Sequence, residues 1–264
     1  MPEAGPQCPA CQRRVRAGTR FCPGCGQDLA EPALAHAPQQ PLEPGRELTA
    51  GKRFVQLWEE LKRLAWLFGL LLATSFVFGI VWRSIRSPWL DVMQTVVMAL
   101  IVLIALAQRY QRLGFLFRVH SSSLREAAIL VGVAALFVGL ATAYFGLLGR
   151  LGVPITSASG LFRTAEWPLW SVFLLVSVAP AVFEEIAFRG VIQSSLERML
   201  NARDAWLIQA GLFSVLHLAP LMFPSHFLMG LCFGYMRRRS RSLYPGMLLH
   251  GCWNALVVVQ ELAL

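Results

Sequence analysis

The chain has 264 residues, of which 56% are hydrophobic and only 15% charged, and its mean hydropathy is +0.54. Soluble domains carry roughly 45–50% apolar and about 25% charged residues, so this composition excludes an ordinary water-soluble fold and requires a bilayer. The net charge of +9 rests on arginine, with Lys52 and Lys62 the only lysines. Arginines that flank membrane spans account for such a charge better than nucleic-acid binding does.

Residues 1–28 carry the pattern Cys8-x2-Cys11-x10-Cys22-x2-Cys25. Each C-x2-C pair can fold as a tight knuckle that aims two sulfurs at one point, and two knuckles make the closed four-thiolate site of structural zinc. Residues 1–50 hold no apolar core of the kind a cleaved signal needs, so the ribbon is expected to stay attached and to face a reducing cytosol. Arg13, Arg14, Arg16 and Arg20 between the knuckles suit a protein partner or the anionic inner leaflet, and nucleic acid is disfavoured. Residues 29–54, rich in Ala, Pro, Gln and Glu, read as a flexible linker.

From residue 55 onward apolar runs alternate with short polar turns. A span needs about 20 mostly apolar residues. Five runs qualify: Leu64–Trp82, Trp89–Ala107, Ala127–Leu148, Trp167–Phe183 and Leu243–Leu262; the shorter, proline-flanked runs Ala205–Leu218 and Phe223–Met236 are read as two further spans. The fold class expected for residues 55–264 is therefore an all-α polytopic membrane domain of about seven helices behind a small zinc ribbon. With the N-terminus inside, the cytoplasmic flanks collect Arg109, Arg112, Arg118, Arg125, Arg198, Arg203 and the Arg237–Arg241 cluster, among others. The outer loops hold only Arg83, Arg86, Arg150 and Arg163. This asymmetry predicts a cytoplasmic N-terminus and an external C-terminus.

Ionisable residues inside spans are costly and mark functional sites by default. Here they gather in the last third of the chain. Glu185 and Arg189 are spaced i,i+4 and share a helix face, with the acid toward the N-terminus. Glu184 projects about 100° away from that pair and stays available as a general base. Phe213-x3-His217 and His250-x3-Asn254 each align their polar members on one face of an apolar helix. His226, near Pro224, reads as a loop residue.

The ordered triple EEIAFR, FSVLH and HGCWN resembles the signature motifs of the CPBP family of intramembrane proteases (CAAX proteases and bacteriocin-processing enzymes), over roughly residues 120–262. The resemblance implies a helical membrane endopeptidase acting on membrane-associated proteins or peptides, in a bacterial inner membrane given this architecture. It implies that Glu184 with His217 activates water, that His250 and Asn254 stabilise the oxyanion, and that Glu185 and Arg189 shape the site. Glu184, His217 and His250 could alternatively ligate a catalytic zinc with one open position. The lack of HExxH spacing favours the metal-free route. A non-catalytic scaffold that uses the ribbon to recruit a partner, or a transporter, would also place polar groups in lipid. Neither explains two glutamates and two histidines on three neighbouring helices.

Overall fold

The computed structural model describes residues 46–119, 124–153 and 159–263, together with Gln7, Cys8, Arg14, Val15, Cys22 and Leu29. Each apolar run of the sequence forms a helix. Helix α1 covers Arg46–Ser84, and α2 covers Pro88–Ala107. The Ser87 side chain caps α2 by accepting the Trp89 N–H, and Pro88 fills the first helical position, where no N–H is needed. Helix α3 covers Leu124–Arg150, and α4 runs through Leu169–Met199. Helix α5 covers Ala202–Leu216 and is capped by Asn201, whose side chain accepts from the Arg203 and Asp204 N–H groups. Helices α6, Phe223–Ser240, and α7, Tyr244–Ala263, complete the bundle.

Two expected boundaries move. Helix α1 already begins at Arg46, so the end of the expected linker is helical. Helix α4 does not stop at Phe183 but continues sixteen residues to Met199. The charged motif lies inside the helix, where Glu185 and Arg189 pair with each other.

Four helices, α1 to α4, are long and apolar enough to cross a membrane, which makes the chain a multi-pass membrane protein. In α1, α2 and α3 only 17, 17 and 11% of the apolar window is buried, against 50% in α4. Large side chains such as Trp66, Phe76, Val96 and Leu136 point outward, an exposure that only lipid makes favourable. Helix α4 is the central helix. The other three expected spans fall short of the same standard. Helix α5 has 15 residues, about 22 Å, against a hydrocarbon thickness of roughly 30 Å. Helix α6 ends in three arginines, and α7 carries His250, Asn254, Gln260 and Glu261.

In lipid, helices associate through close packing and interhelical hydrogen bonds rather than through hydrophobic burial. The α5–α6 contact follows that rule. A Cβ at Gly230 would lie 2.6 Å from the Ala210 Cα, and one at Gly234 would lie 2.5 Å from the Gln209 amide nitrogen. At that separation Gln209 Nε2 donates to the Gly230 carbonyl at 2.7 Å and Trp206 Nε1 to the Leu231 carbonyl at 2.8 Å. Helix α4 contains two wide π segments, Phe173–Val178 and Ile186–Ile192. Such turns re-aim side chains and concentrate at functional sites.

At the end of the bundle opposite the Ser84–Pro88 turn, polar groups form two buried clusters. Glu60 accepts from the Ser195 hydroxyl at 2.8 Å and faces Arg109 Nε at 3.9 Å. Burial pulls the Arg109 guanidinium below its ordinary value, and the Glu60 charge opposes that. Arg237 pairs with Glu197 and with the Ser194 hydroxyl, each at 2.5 Å. Both arginines read in the sequence as charges flanking spans; the fold uses them as internal ties.

Candidate active site

The centre of the site is built on α4. Arg189 Nη1 lies 2.9 Å from Glu185 Oε1, and both side chains are at most 1% exposed. The i,i+4 pair of the sequence therefore forms as read. The guanidinium also donates to the Met229 carbonyl at 3.4 Å and lies 4.3 Å from the centre of the Phe213 ring and 5.3 Å from that of Phe233. Desolvated cations are stabilised by aromatic faces, which gives the phenylalanine of the second motif a role that its spacing did not disclose. Phe213 also meets the rings of Phe188 and His217 edge-on, at 5.1 and 4.9 Å.

Glu185 has a second partner. Its Oε1 lies 3.2 Å from His250 Nδ1 on α7. An N–H donated there by His250 turns the other ring nitrogen, Nε2, toward Glu184. Gly246, one turn earlier on α7, lets that helix come close: a Cβ there would stand 2.8 Å from Glu185 Oε2.

Glu184 points away from the Glu185–Arg189 pair, as the helical angle requires. Its Oε2 lies 4.0 Å from His217 Nε2 and 3.9 Å from His250 Nε2. His217 Nδ1 stands 2.8 Å from the Phe213 carbonyl, so its Nδ1–H donates there and its Nε2 is left as an acceptor. Both histidines thus present Nε2 to one carboxylate oxygen, which has no hydrogen-bond partner among the described residues. Polar groups about 4 Å apart can share one bridging water. Glu184 and His217 remain about a quarter exposed, whereas His250 is 3% exposed, so the site is open on one side.

Two residues take places that the sequence did not disclose. Asn254 follows His250 by one turn, but its amide nitrogen donates to the Val176 carbonyl at 3.1 Å, within the first π segment of α4. His226, read as a loop residue, is in the first turn of α6 with its ring centre 3.8 Å from that of His217. Its Nδ1 is fixed on the Met222 carbonyl at 2.8 Å.

The ligand set for a catalytic metal can be compared with this geometry. Two ligands on a tetrahedral zinc, with bonds of about 2.0–2.1 Å, stand roughly 3.3 Å apart, closer than Glu184 is to either histidine. Among the described residues no three His, Cys, Asp or Glu side chains are grouped to hold a metal ion. Of the ribbon cysteines, Cys8 and Cys22 are buried and pack with Val15 in one cluster, while Cys11 and Cys25 lie outside the described residues.

A cavity of about 350 Å³ opens beside Glu184. Leu71, Val102, Phe162 and Phe188 contribute to its apolar lining, and Asp91, Gln94 and Thr95 of α2 form one polar wall. The sequence shows Asp91 near the end of a span without indicating that it faces the glutamate motif.

Residues 166–256 match the family model described as type II CAAX prenyl endopeptidase, Rce1-like. The match covers about a third of the chain and contains all three motifs, from Glu184 to Asn254. No curated protein and no solved structure matches the chain.

Proposed function

We propose that the chain is an intramembrane endopeptidase whose general base is Glu184. The observation that carries this reading is the convergence of His217 Nε2 and His250 Nε2 on Glu184 Oε2, at 4.0 and 3.9 Å. A water held between Glu184 and His217 would give its proton to Glu184 while its oxygen adds to the carbonyl carbon of a bound peptide. The oxyanion then needs donors already in place. His250, held by Glu185 at Nδ1, would donate from Nε2 when that nitrogen carries a proton, and Asn254 would use its second amide hydrogen. Collapse of the intermediate breaks the C–N bond, and Glu184 returns its proton to the leaving amine. Every proton and oxygen in this sequence comes from water and from the named side chains.

Glu185 and Arg189 act on this chemistry through others. Arg189 compensates the charge of Glu185, and Glu185 orients His250.

The N-terminal segment is proposed to bind one structural zinc through Cys8, Cys11, Cys22 and Cys25, and to serve as a docking module on the cytoplasmic side. The burial of Cys8 and Cys22 in one cluster supports it. The arginine distribution supports an inner-membrane orientation with the N-terminus inside.

The test is turnover of membrane-embedded peptides by the purified full chain. Cleavage that vanishes in Glu184→Gln, with the variant still folded, supports the reading. Cleavage that survives the substitution overturns it.

A further inference from the structure

The polar wall of the cavity is not used by the chemistry proposed above. Asp91, Gln94 and Thr95 line the same space as Glu184. Their spacing of three and four residues puts them on one face of α2. Met93, Val96, Val97 and Leu100, on other faces of the same turns, are exposed as lipid-facing side chains are. Helix α2 is thus amphipathic, although a span in lipid gains nothing from polar groups. Among the described residues none of the three polar side chains has a hydrogen-bond or ion-pair partner. A carboxylate in the first helical turn complements the helix dipole, which would explain Asp91 alone. Gln94 and Thr95 lie beyond that turn, and they look into the same cavity.

We propose that this wall is the specificity-determining part of the substrate site. It receives one basic side chain, lysine or arginine, from an otherwise apolar substrate segment, with the bond to be cut lying at Glu184. Asp91 supplies the counter-charge, while the Gln94 amide and the Thr95 hydroxyl complete the hydrogen bonds of the cation. The apolar remainder of the cavity takes the neighbouring residues. Asp91 and Val102, both lining it, are eleven residues apart on α2, about 16 Å. An extended segment of about five residues spans that length. The proposal rests on the endopeptidase reading for where the cut falls, but not for the binding itself.

Binding can therefore be measured apart from turnover. The full chain carrying Glu184→Gln is placed in nanodiscs of zwitterionic phosphatidylcholine, whose net charge of zero limits attraction of cations by the lipid. Two fluorescent apolar heptapeptides are compared, one with a central lysine and one with norleucine there. A buried charge-assisted contact predicts that the lysine peptide binds roughly 10- to 100-fold more tightly. Adding Asp91→Asn should abolish the preference, and Asp91→Glu should retain it. Equal binding of both peptides, or a preference that Asp91→Asn leaves intact, overturns the proposal. The unsubstituted chain then reports on the other reading. A lysine peptide bound through Asp91 but never cut leaves the polar wall standing and removes the endopeptidase. Glu184-dependent cutting of both peptides at equal rates does the reverse.

Discussion

His250 Nδ1 and Glu185 Oε1 meet at 3.2 Å across the contact between α7 and α4. Glu185 is thereby shared between Arg189 and the histidine, and removing it leaves a buried guanidinium and an unanchored imidazole. Loss of one partner of a buried ion pair costs about 3–5 kcal/mol. Glu185→Gln should lower the melting temperature and the yield of folded protein before any question of turnover arises.

Glu184→Gln should behave differently. It keeps the shape of the side chain but removes the basic oxygen, at a position that pairs with no arginine. Melting should stay near that of the unsubstituted chain, while turnover falls by roughly 10²–10⁴-fold. His217→Ala should give a similar loss, and the double variant little more, because the two act as a unit. Equal destabilisation by Glu184→Gln and Glu185→Gln in a thermal scan would show that the roles are reversed.

Gly246 supplies a test that touches no ionisable group. In Gly246→Ala the new methyl would stand 2.8 Å from Glu185 Oε2, so either α7 or the carboxylate must shift. Overpacking of this kind costs typically about 1–3 kcal/mol. The expected result is a modest drop in melting together with a loss of turnover, since His250 moves with α7. Gly251→Ala, whose methyl would be 3.5 Å from the Ala181 Cβ, is the control and should be well tolerated.

Metal content separates the two ends of the molecule. The full chain should carry one zinc, and Cys22→Ser combined with Cys25→Ser should remove it. Turnover should persist in that variant and in the presence of a chelator. Zinc retained by the double variant, with activity lost on chelation, would place a metal at Glu184 and the histidines instead.

Orientation is checked by reporter fusions. The arginine count predicts that fusions after Arg239 and after Leu264 report opposite faces of the membrane, with Arg239 cytoplasmic. Two fusions reporting the same face would show that α7 does not cross.

Much of this architecture is legible in the sequence because lipid leaves a strong mark: each apolar run became a helix, and the Glu185–Arg189 spacing became an ion pair. What stayed hidden depends on contacts between distant helices. The apolar run ends at Phe183, yet Glu185 and Arg189 neutralise each other and the helix goes on. Phe213 marks the second motif in the sequence, but only the fold lays its ring over Arg189. His226 followed a proline and read as a loop, but Pro224 sits in the first turn of α6, where proline is tolerated. The second partner of Glu185, and the cavity that Asp91 faces, arise only when α7 and α2 have closed on α4. Local periodicity carries no trace of either.

The Glu185–Arg189 pair also bears on biosynthesis. A lone arginine or aspartate at the centre of an inserting helix costs about 2.5–3.5 kcal/mol on the insertion scale. Both partners here belong to α4, so they can neutralise one another as soon as that segment leaves the ribosome, before α5 to α7 exist. The bilayer can then accept α4 ahead of the later helices, and His217 and His250 arrive afterwards to a carboxylate already delivered to depth.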